Sequence, residues 1–445
     1  MAKNFTFDKS KVLLLAGLYF LFALVVSRVF LFETEELPEW NIFRIIVFVL
    51  FIPLFTKYLM HIAVVPWYGL YTRRHMGKNI SRLRPKVSVL IPAWNEEVGI
   101  IQTIESVLKS DYRNLELVVV NDGSTDGTDR LVKNFIKRYR GGREIRYIKK
   151  KNGGKASALN LGIKASSGNI IITTDADSAV DRSAISNIVK RFSDKRIMAV
   201  AGNVRIGNGT KMIGAVQKLE YLYGFYFKRA DTILNSVYIV GGAAAAYRRE
   251  IFDELGYFDD HIITEDIEYS TRILDAGYRI AYASDAVFYT EGPSDLEGLL
   301  KQRLRWKYGR LMTFYKYRHL FFRYRGMQSF FLSFMVLPVA FFAELLLLLE
   351  VVLLPAFYAY TIMSNDFIPL VLASMLLSVV IILQVLTDHK REENRELYLW
   401  APVAWLVFYF IDFVEYIALI KSAGKILKKK EVVWQKWQRA GVFGG

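Results

Sequence analysis

The chain has 445 residues, of which 53% are hydrophobic and 23% charged, and its mean hydropathy is +0.21. These values fit a water-soluble domain joined to membrane segments better than either one alone. The net charge of +16 indicates an anionic partner without choosing among nucleic acid, a membrane surface and a phosphorylated substrate, while the lack of cysteine excludes disulfides, thiolate metal sites and cysteine nucleophiles.

Two apolar segments open the chain. The first, residues 12–32, is long enough to cross a hydrocarbon core of about 30 Å and has no small-residue cleavage site, so we predict a retained anchor. The second runs from about residue 45 to residue 66. The link between them is acidic, whereas the outer flanks carry basic residues: Lys3, Lys9, Lys11, Arg73, Arg74 and Lys78. The positive-inside rule predicts that both flanks, and therefore the middle region, are cytoplasmic. We expect an integral protein of the plasma membrane.

From residue 86 to about 309 the pattern is that of an α/β domain. Helix-length segments separate six strand-like runs: VSVLIPAW, LELVVVND, IRYIKK, NIIITTDAD, IMAVAGNV and VYIVGGAAAAY. This alternation predicts a mostly parallel sheet with right-handed crossovers, which binds ligands at the carboxyl ends of its strands. Three runs end there in polar residues: Asn95 and Glu96, Asn121 and Asp122, and Asp175 and Asp177.

After residue 310 the chain is aromatic and basic, and then strongly apolar. Residues 329–363 are too long for one span and short for two, so they could form an interfacial helix followed by a span. Because both ends of the chain are predicted to be cytoplasmic, the number of spans must be even, and this stretch decides between four and six. Further spans are predicted at about 367–386 and 399–420, followed by a tail with seven Lys or Arg residues against one Glu. We predict five regions: an N-terminal membrane region at 1–84, the α/β domain at 85–310, interfacial helices or a span at 311–345, C-terminal spans at 346–420 and a basic cytoplasmic tail at 421–445.

Two glycine-containing turns carry candidate ligand contacts. Asp122 opens NDGSTDGT, where its carboxylate can accept hydrogen bonds from a base or a sugar, or can simply stabilise the turn together with Asp126. Lys155 lies in NGGKASALNLG, at a turn that opens a helix. A lysine beside free backbone amides suits a diphosphate, although a solvated lysine after a flexible turn is the plain alternative.

The pair Asp175 and Asp177 ends a β-branched run. The two carboxylates share one face if the extended conformation continues, and their repulsion then calls for a cation. Mg²⁺ takes few protein carboxylates and keeps phosphates as its other ligands, so the pair suits a metal-bound diphosphate. The alternative is a loop with solvated acids, since this short pattern is frequent.

Two further motifs are predicted on helices. Glu265 and Asp266 follow Thr264 at a helix start, where a carboxylate can act as a general base or, with Thr264, cap the helix. In KQRLRW, Gln302, Arg305 and Trp306 lie on neighbouring helix faces. Arginine can clamp a diphosphate and tryptophan can stack on a sugar, while the alternative is a basic amphipathic helix at the membrane surface.

Six motifs in this order resemble those of the processive family 2 glycosyltransferases of membranes, which include cellulose, chitin, hyaluronan and poly-N-acetylglucosamine synthases. The motifs are IPAWNEE, NDGSTDGT, NGGKASALN, DADS, ITEDIE and QRLRW. Within that family the resemblance is greatest to poly-N-acetylglucosamine synthase. It implies an α/β GT-A fold, a UDP-sugar donor with UDP-N-acetylglucosamine preferred, Mg²⁺ or Mn²⁺, and inverting transfer to a growing β-linked polysaccharide that crosses the bilayer through the same chain.

The resemblance also implies roles for individual residues. Asp122 would contact the uracil and Glu96 the ribose, in a donor site that also includes Pro92 and Asn95. Lys155, Asp175, Gln302 and Arg305 would lie at the donor diphosphate, with Asp177 and Asp175 on the metal. Asp266 would be the catalytic base, with Glu265 beside it. Trp306, Gly241, Gly242 and Ala243 would bind the acceptor.

Other functions stay open on the sequence alone. The polymer could be another β-glycan, namely a glucan, chitin or hyaluronan type. A polyprenyl-phosphate glycosyltransferase that transfers one sugar would not need the acceptor platform of KQRLRW. A membrane transporter or an anchored binding protein is a further possibility, but the acidic residues of the motifs would then have no catalytic role. We expect no nucleic-acid partner, because the basic residues flank membrane segments, and an accessory subunit is compatible with the sequence.

Overall fold

The computed structural model describes residues 9–31, 38–75, 84–209, 212–324, 328–430, 432, 439 and 441–442. Most of the acidic link after the first apolar segment lies outside these residues, as do Lys3, Lys78 and, within the tail, residues 431, 433–438, 440 and 443–445. The chain forms two compact units. One combines Met1–Ala63 with Val339–Tyr416, and the other combines Val64–Pro338 with Ile417–Gly445.

The second unit is built on an eight-stranded mixed sheet in the order β3-β2-β1-β4-β7-β6-β8-β5. Neighbours from β3 to β4 are parallel, β7 is antiparallel to both of its neighbours, and β5 is antiparallel to β8. The strands are β1 Val87–Ala93, β2 Leu115–Asp122, β3 Glu144–Lys150, β4 Ile170–Thr173, β5 Ser178–Val180, β6 Ile197–Ile206, β7 Ala245–Arg248 and β8 Arg279–Thr290. The predicted mostly parallel sheet is confirmed.

Fifteen α-helices occur among the described residues. They are α1 Lys9–Leu31, α2 Pro38–Val64, α3 Tyr68–His75, α4 Ile100–Leu108, α5 Thr128–Arg138, α6 Lys155–Ala165, α7 Ala184–Arg191, α8 Met212–Leu234, α9 Glu250–Leu255, α10 Glu265–Asp275, α11 Leu296–Lys316, α12 Leu337–Met363, α13 Ile368–Thr387, α14 Leu397–Trp400 and α15 Ala404–Leu427.

The register of the parallel strands determines which loops meet. Every residue of β2 is buried, as expected for a strand covered on both faces of a sheet. Ala93 of β1 lies opposite Asn121 of β2, so these two strands end level with one another. Thr173, the last residue of β4, lies opposite Leu90, so β4 ends three residues before the level at which β1 and β2 end. The polar residues that follow β1, β2 and β4 therefore reach the same edge of the sheet.

The strand pattern differs from the prediction in two places. The run 237–247 is not one strand, because a 3-10 turn at Gly242–Ala244 precedes β7 and Gly241 has a φ of 88° that a regular strand cannot contain. Strands β5 and β8 are missing from the predicted set. The sequence of β8, RIAYASDAVFYT, interrupts its apolar residues with polar ones, and its pairing with β6 is irregular near Gly202.

Four helical stretches among the described residues are long and apolar enough to cross a membrane. They are Asn41–His75, Leu332–Met363, Ile368–Thr387 and Leu397–Leu427, and α1 contributes a shorter apolar helix over Val12–Arg28. The uncertain stretch 329–363 contains one unbroken helix that opens with a π-helical turn at Leu332–Val336. It therefore supplies one candidate span, and the second span that a total of six requires is not found there.

A buried ion pair links α1 to the start of α13 within the first unit. Arg28 lies 2.8 Å from the carboxylate of Asp366, whose side chain is 3% exposed. Pairing the two charges lowers the cost of holding either one in an apolar environment.

Candidate active site

The acidic pair after β4 lies in a turn. The strand ends at Thr173, and the backbone N–H of Ser178 donates to the carbonyl oxygen of Asp175 over 3.2 Å. The extended conformation thus stops before Asp175, and the expectation that Asp175 and Asp177 share a strand face is wrong. Each carboxylate instead has its own cation, Lys155 for Asp175 and Arg439 for Asp177.

Lys155 connects the acidic turn to the start of α10. It is the first residue of α6, and its Nζ lies 2.5 Å from Asp175 and 3.3 Å from Glu265. Burial alone would lower the pKa of Lys155, but the carboxylates around it raise that pKa above its ordinary value. Against the effect of burial, the lysine in turn holds the pKa of Asp175 below its usual range. Lys155 is therefore a fixed positive charge among three acids.

Glu265 and Asp266 open α10, as predicted. Thr264 takes the N-cap position, yet its side chain makes no capping hydrogen bond, so that part of the capping alternative is wrong. The two carboxylate oxygens of Asp266 accept from backbone N–H groups, Oδ2 from Gly242 at 2.7 Å and Oδ1 from Ile267 at 3.0 Å. Burial raises the pKa of Glu265, although the neighbouring Lys155 opposes that rise.

Gly242 lies close to the lysine and to both acids. A Cβ at this position would lie 2.7 Å from Nζ of Lys155 and 3.6 Å from carboxylate oxygens of both Glu265 and Asp266. Its carbonyl accepts a hydrogen bond from Oγ1 of Thr173 at 3.2 Å. The turn formed by Gly241, Gly242 and Ala243, predicted to bind the acceptor, therefore reaches the candidate base and the lysine.

The loops after β1 and β2 are tied together. Asn95 has a φ of 55°, and its Oδ1 accepts from the backbone N–H of Thr125 over 2.7 Å. Asp122 accepts from Nζ of Lys150 at 2.6 Å and from the backbone N–H of Gly154 at 2.8 Å. These bonds stabilise the glycine turn before α6, which is a different turn from the NDGSTDGT turn of the alternative that pairs Asp122 with Asp126.

Pro92 and Glu96 lie at the same sheet edge. Pro92 is paired with Val120 near the end of β1. Glu96 is buried, its backbone N–H donates to Oγ1 of Thr128, and its carboxylate lies 3.2 Å from Arg439. The predicted donor residues of the first two loops thus lie beside the acidic turn.

Helix α11 contributes the KQRLRW motif. Gln302 is buried, and its Oε1 has no hydrogen-bond partner among the described residues. The charge of Arg305 contributes to the lowered pKa of Asp175, which places this arginine near the acidic turn. The guanidinium of Arg303 lies 4.2 Å from the ring centroid of Trp306, and the ring of Tyr221 lies 6.5 Å away. Trp306 is therefore held against α8 in a fixed orientation.

Two basic residues near the acidic groups were not predicted from the sequence. Arg439 has a 7% exposed side chain between Asp177 and Glu96, although its segment was predicted only as a basic tail. The two tryptophans of WQKWQR, unusual in a solvated tail, are the signal that could have indicated docking. Lys228 of α8 is the second such residue. Burial lowers its pKa to about 8, although the charges of Asp231 and Asp266 oppose this shift.

Comparisons with known proteins show related sequences and a related fold. Residues 88–256 match the family model of glycosyl transferase family 2. The poly-beta-1,6-N-acetyl-D-glucosamine synthase of Staphylococcus aureus (strain COL) is 33% identical over 271 residues, and that of Staphylococcus epidermidis is 29% identical over 270 residues. Each match covers 59% of this chain and 64% of the relative, so it spans less than two thirds of the relatives' length.

One solved structure shares the fold over most of the chain. A mannosyltransferase from Pyrobaculum calidifontis, solved in complex with GDP-Man and Mn²⁺, matches with a TM-score of 0.55 and 23% identity, covering 86% of this chain and 100% of that chain. This likeness confirms the predicted GT-A fold, and the family match confirms the resemblance drawn from the motifs. Residues 88–256 therefore match glycosyl transferase family 2 in sequence and adopt a GT-A fold, in a chain that also contains helices suited to crossing a membrane.

Proposed function

We propose that this protein is a processive, inverting β-glycosyltransferase that polymerises a UDP-sugar, with UDP-N-acetylglucosamine as the preferred donor, and passes the polysaccharide across the membrane. One observation carries the proposal. Lys155 joins the acidic turn to the two acids that open α10, at 2.5 Å from Asp175 and 3.3 Å from Glu265. Groups suited to a diphosphate and a group suited to activating a hydroxyl thereby meet at one sheet edge.

The donor diphosphate is assigned to the positive charges beside the acidic turn. Lys155 and Arg305 both lower the pKa of Asp175, and we assign both positive charges to the diphosphate. Gln302 adds a buried side chain whose Oε1 has no hydrogen-bond partner among the described residues, which leaves it available to a ligand donor. The Asp122 turn and the loop of Asn95 and Glu96 are assigned to the nucleoside.

The acidic turn fits a divalent cation. Burial raises the pKa of Asp177, so its charged form requires a nearby cation, and Arg439 supplies a positive charge there. Among the described residues, no group of three or more His, Asp or Glu side chains is arranged to hold a metal. Asp177 and Asp175 would hold Mg²⁺ or Mn²⁺ together with donor phosphates, the ligand set that Mg²⁺ favours. When bound, the ion would neutralise charge on the leaving diphosphate.

Asp266 is assigned as the general base. Hydrogen bonds from Gly242 and Ile267 fix both of its oxygens, which aims the carboxylate and preserves a lone pair on each for a hydroxyl. The acceptor oxygen forms a bond to the anomeric carbon while the bond from that carbon to the diphosphate breaks. The proton passes to Asp266, the nucleotide diphosphate departs, and an α-linked donor yields a β-linked product.

Trp306 is assigned to the acceptor. Arg303 lies over one part of its ring and is itself paired with Glu220 at 2.6 Å, so the tryptophan is rigidly supported. A rigid aromatic plate can hold successive sugars of a chain through stacking at low entropic cost. Such a platform serves a growing polymer and not a single transfer.

The sugar and the membrane side follow from the relatives and the charge pattern. The two staphylococcal relatives are named as poly-beta-1,6-N-acetyl-D-glucosamine synthases, which supports N-acetylglucosamine as the unit. The mannosyltransferase was solved with Mn²⁺, which supports a divalent ion without choosing between Mg²⁺ and Mn²⁺. The basic flanks of the apolar segments support a cytoplasmic catalytic domain.

The direct test is to incubate the purified full chain in lipid with a panel of UDP-sugars and either Mg²⁺ or Mn²⁺. We expect UDP release with UDP-N-acetylglucosamine and a polymer that a glycosidase specific for β-linked N-acetylglucosamine degrades. Polymer from another UDP-sugar would move the assignment to a different β-glycan. A single sugar on a polyprenyl phosphate, without polymer, would contradict processivity.

A further inference from the structure

Helix α4 begins against the acidic turn. Its N-cap residue is Gly99, and a Cβ there would lie 3.1 Å from the carbonyl oxygen of Ala176 and 3.3 Å from Cα of Asp177. Ala176 is the residue between the two aspartates, and it is buried. The start of the helix therefore packs directly on the peptide group that joins Ala176 to Asp177.

The side chain of Thr103 holds that peptide group by a hydrogen bond. Its Oγ1 lies 2.8 Å from the carbonyl oxygen of Ala176 and 3.3 Å from that of Gly99, four residues earlier in the chain. A threonine in a helix commonly donates to the carbonyl four residues before it. A hydroxyl has one proton, so the shorter contact, to Ala176, is the principal bond here. Thr103 is fully buried, which keeps this bond away from water.

Two further hydroxyls of α4 bind the chain beyond the acidic turn. Oγ of Ser106 accepts from the backbone N–H of Val180 at 3.0 Å, and Oγ of Ser110, just after the helix, donates to the carbonyl oxygen of Arg182 at 3.3 Å. Strand β5 is the end strand of the described sheet, so these hydroxyls serve backbone groups at its edge. With Thr103 they recur at intervals of three and four residues, the spacing of one helix face.

The carbonyl that Thr103 holds lies between the two carboxylates assigned to the cation. Because a peptide group is a rigid plane, a rotation at Ala176 would turn the side chains of Asp175 and Asp177 relative to one another. Carboxylates that lie close together repel each other, so their geometry needs support from the surrounding structure. Groups that orient metal ligands, without themselves binding the metal, contribute strongly to metal affinity.

We infer that Thr103 is a positioning residue that holds Asp175 and Asp177 in the geometry required by the divalent cation. This inference rests on the proposed function of the two aspartates as metal ligands. Thr103 acts through the carbonyl of Ala176 and not by contact with the ion. Gly99 supports the same geometry, because its missing side chain lets α4 approach the turn. The hydroxyl of Ser106 binds farther along the chain and has no part in it.

The first test measures Mn²⁺ binding to the purified full chain by electron paramagnetic resonance, in the presence of saturating UDP. Thr103→Val nearly keeps the shape of the side chain but removes the hydroxyl, so Mn²⁺ should bind roughly tenfold to a hundredfold more weakly. Thr103→Ser returns the hydroxyl and should restore most of the affinity. Ser106→Ala is the matched control, because it removes a hydroxyl from the same helix and should leave Mn²⁺ affinity unchanged.

Gly99→Ala tests the same geometry without touching the hydroxyl. The added methyl group would lie 3.1 Å from the carbonyl oxygen of Ala176, closer than an ordinary contact, so the turn must shift. We expect weaker Mn²⁺ binding than in the wild type. Unchanged Mn²⁺ affinity in both Gly99→Ala and Thr103→Val would contradict control of the turn by α4.

The possible results separate this inference from the proposed function. Wild-type Mn²⁺ affinity in Thr103→Val, together with binding that Asp177→Ala removes, overturns the positioning role and preserves the metal site. An equal loss in Thr103→Val and Ser106→Ala also overturns it, because general loosening of α4 would then explain both. Failure of the wild type to bind Mn²⁺, with or without UDP, overturns the metal assignment and this inference with it.

The rate of UDP release provides a second readout. In Thr103→Val the Mn²⁺ concentration that gives the half-maximal rate should rise roughly tenfold or more. Saturating Mn²⁺ should then recover most of the wild-type rate, because the ligands themselves are intact. A low rate at saturating Mn²⁺, with an unchanged half-maximal concentration, would contradict a role in holding the metal ligands.

Discussion

Individual side chains in the candidate site are held by backbone groups as much as by each other. Asp266 receives two backbone N–H groups, and Asp122 receives those of Gly153 and Gly154. Such bonds fix the direction of a carboxylate without neutralising its charge, which keeps Asp266 positioned. The chemistry therefore depends on loop geometry that brings Gly242 to Asp266.

Replacing Asp266 tests its assignment as the base. Asp266→Asn keeps the shape of the side chain and an oxygen for the Gly242 N–H, but it cannot take a proton. We expect polymer synthesis to fall by at least about 10³-fold while UDP binding stays within about threefold of wild type. Polymerisation assays and UDP titration give the two values. Substantial synthesis by Asp266→Asn would remove this residue from the catalytic role.

Replacing Trp306 tests the acceptor platform. Trp306→Ala removes the stacking surface beside Arg303, so chain elongation should fall roughly tenfold or more while hydrolysis of the donor falls less than threefold. Product length and UDP release from the same reaction provide the comparison. Trp306→Phe retains a ring and should recover part of the elongation. An equal loss of elongation and hydrolysis in Trp306→Ala would argue against the platform.

At the scale of elements, the parallel strands β1 and β2 are tied to the segment before β4 by a buried carboxylate. Glu116 of β2 is fully buried and accepts hydrogen bonds from Ser88 Oγ at 2.5 Å and from the backbone N–H of Ser167 at 2.6 Å, with Lys86 Nζ 2.9 Å away. Burial would raise the pKa of Glu116, but these three partners lower it to about 2.

The lowered pKa predicts an acid-sensitive contribution to stability. The folded state favours the charged form of Glu116, so the stabilisation is complete above the ordinary pKa of 4.5 and disappears as the pH falls through about 2. Glu116→Gln should lower the free energy of unfolding at pH 7 by roughly 2 kcal/mol, seen as a lower Tm in thermal unfolding. The deficit relative to wild type should shrink below pH 4.5.

Glu144→Gln is the control for this effect. Its carboxylate is 46% exposed and also contacts Lys86, at 3.2 Å, so its loss should cost less than about 1 kcal/mol. A Glu116→Gln deficit that stays constant from pH 7 to pH 3 would show that shape and packing, not charge, account for the effect.

The sequence predicts the elements of this domain better than it predicts the contacts between them. The apolar runs of β1, β2 and β4 correctly indicate buried parallel strands, and the polar residues after them meet at one edge as expected. The prediction that Asp175 and Asp177 share one strand face was wrong, because a turn replaces the extended chain there. The pairing of Arg439 with Asp177 joins residues far apart in sequence, and no local pattern specifies such a pair.

At the scale of the whole molecule, the chain combines two compact units of different chemistry. The first contains long apolar helices, and the second contains the mixed sheet with the acidic site. The predicted region boundaries at 84, 310, 345 and 420 remain proposals. So does the cytoplasmic position of the catalytic domain, which rests on the basic flanks.

Single-cysteine variants test the membrane arrangement in intact cells. A membrane-impermeant maleimide should not label Asn134→Cys in the catalytic domain until the cells are lysed. It should label Ser364→Cys, in the short connection between α12 and α13, because this connection follows one span beyond the domain. Gel-shift labelling reports both outcomes. Labelling of Cys at 134 in intact cells would reverse the proposed orientation.

The central claim is that a divalent cation held at Asp177 activates a UDP-sugar for attack by a carbohydrate hydroxyl. The most direct measurement is UDP release from UDP-N-acetylglucosamine by the lipid-embedded protein during a Mn²⁺ titration, for wild type and Asp177→Ala in parallel. The account predicts saturable, Mn²⁺-dependent UDP release and polymer from the wild type, and a loss of at least about 10²-fold in Asp177→Ala. An identical Mn²⁺ response in the two proteins, or no consumption of any sugar nucleotide by the wild type with either metal, would contradict it.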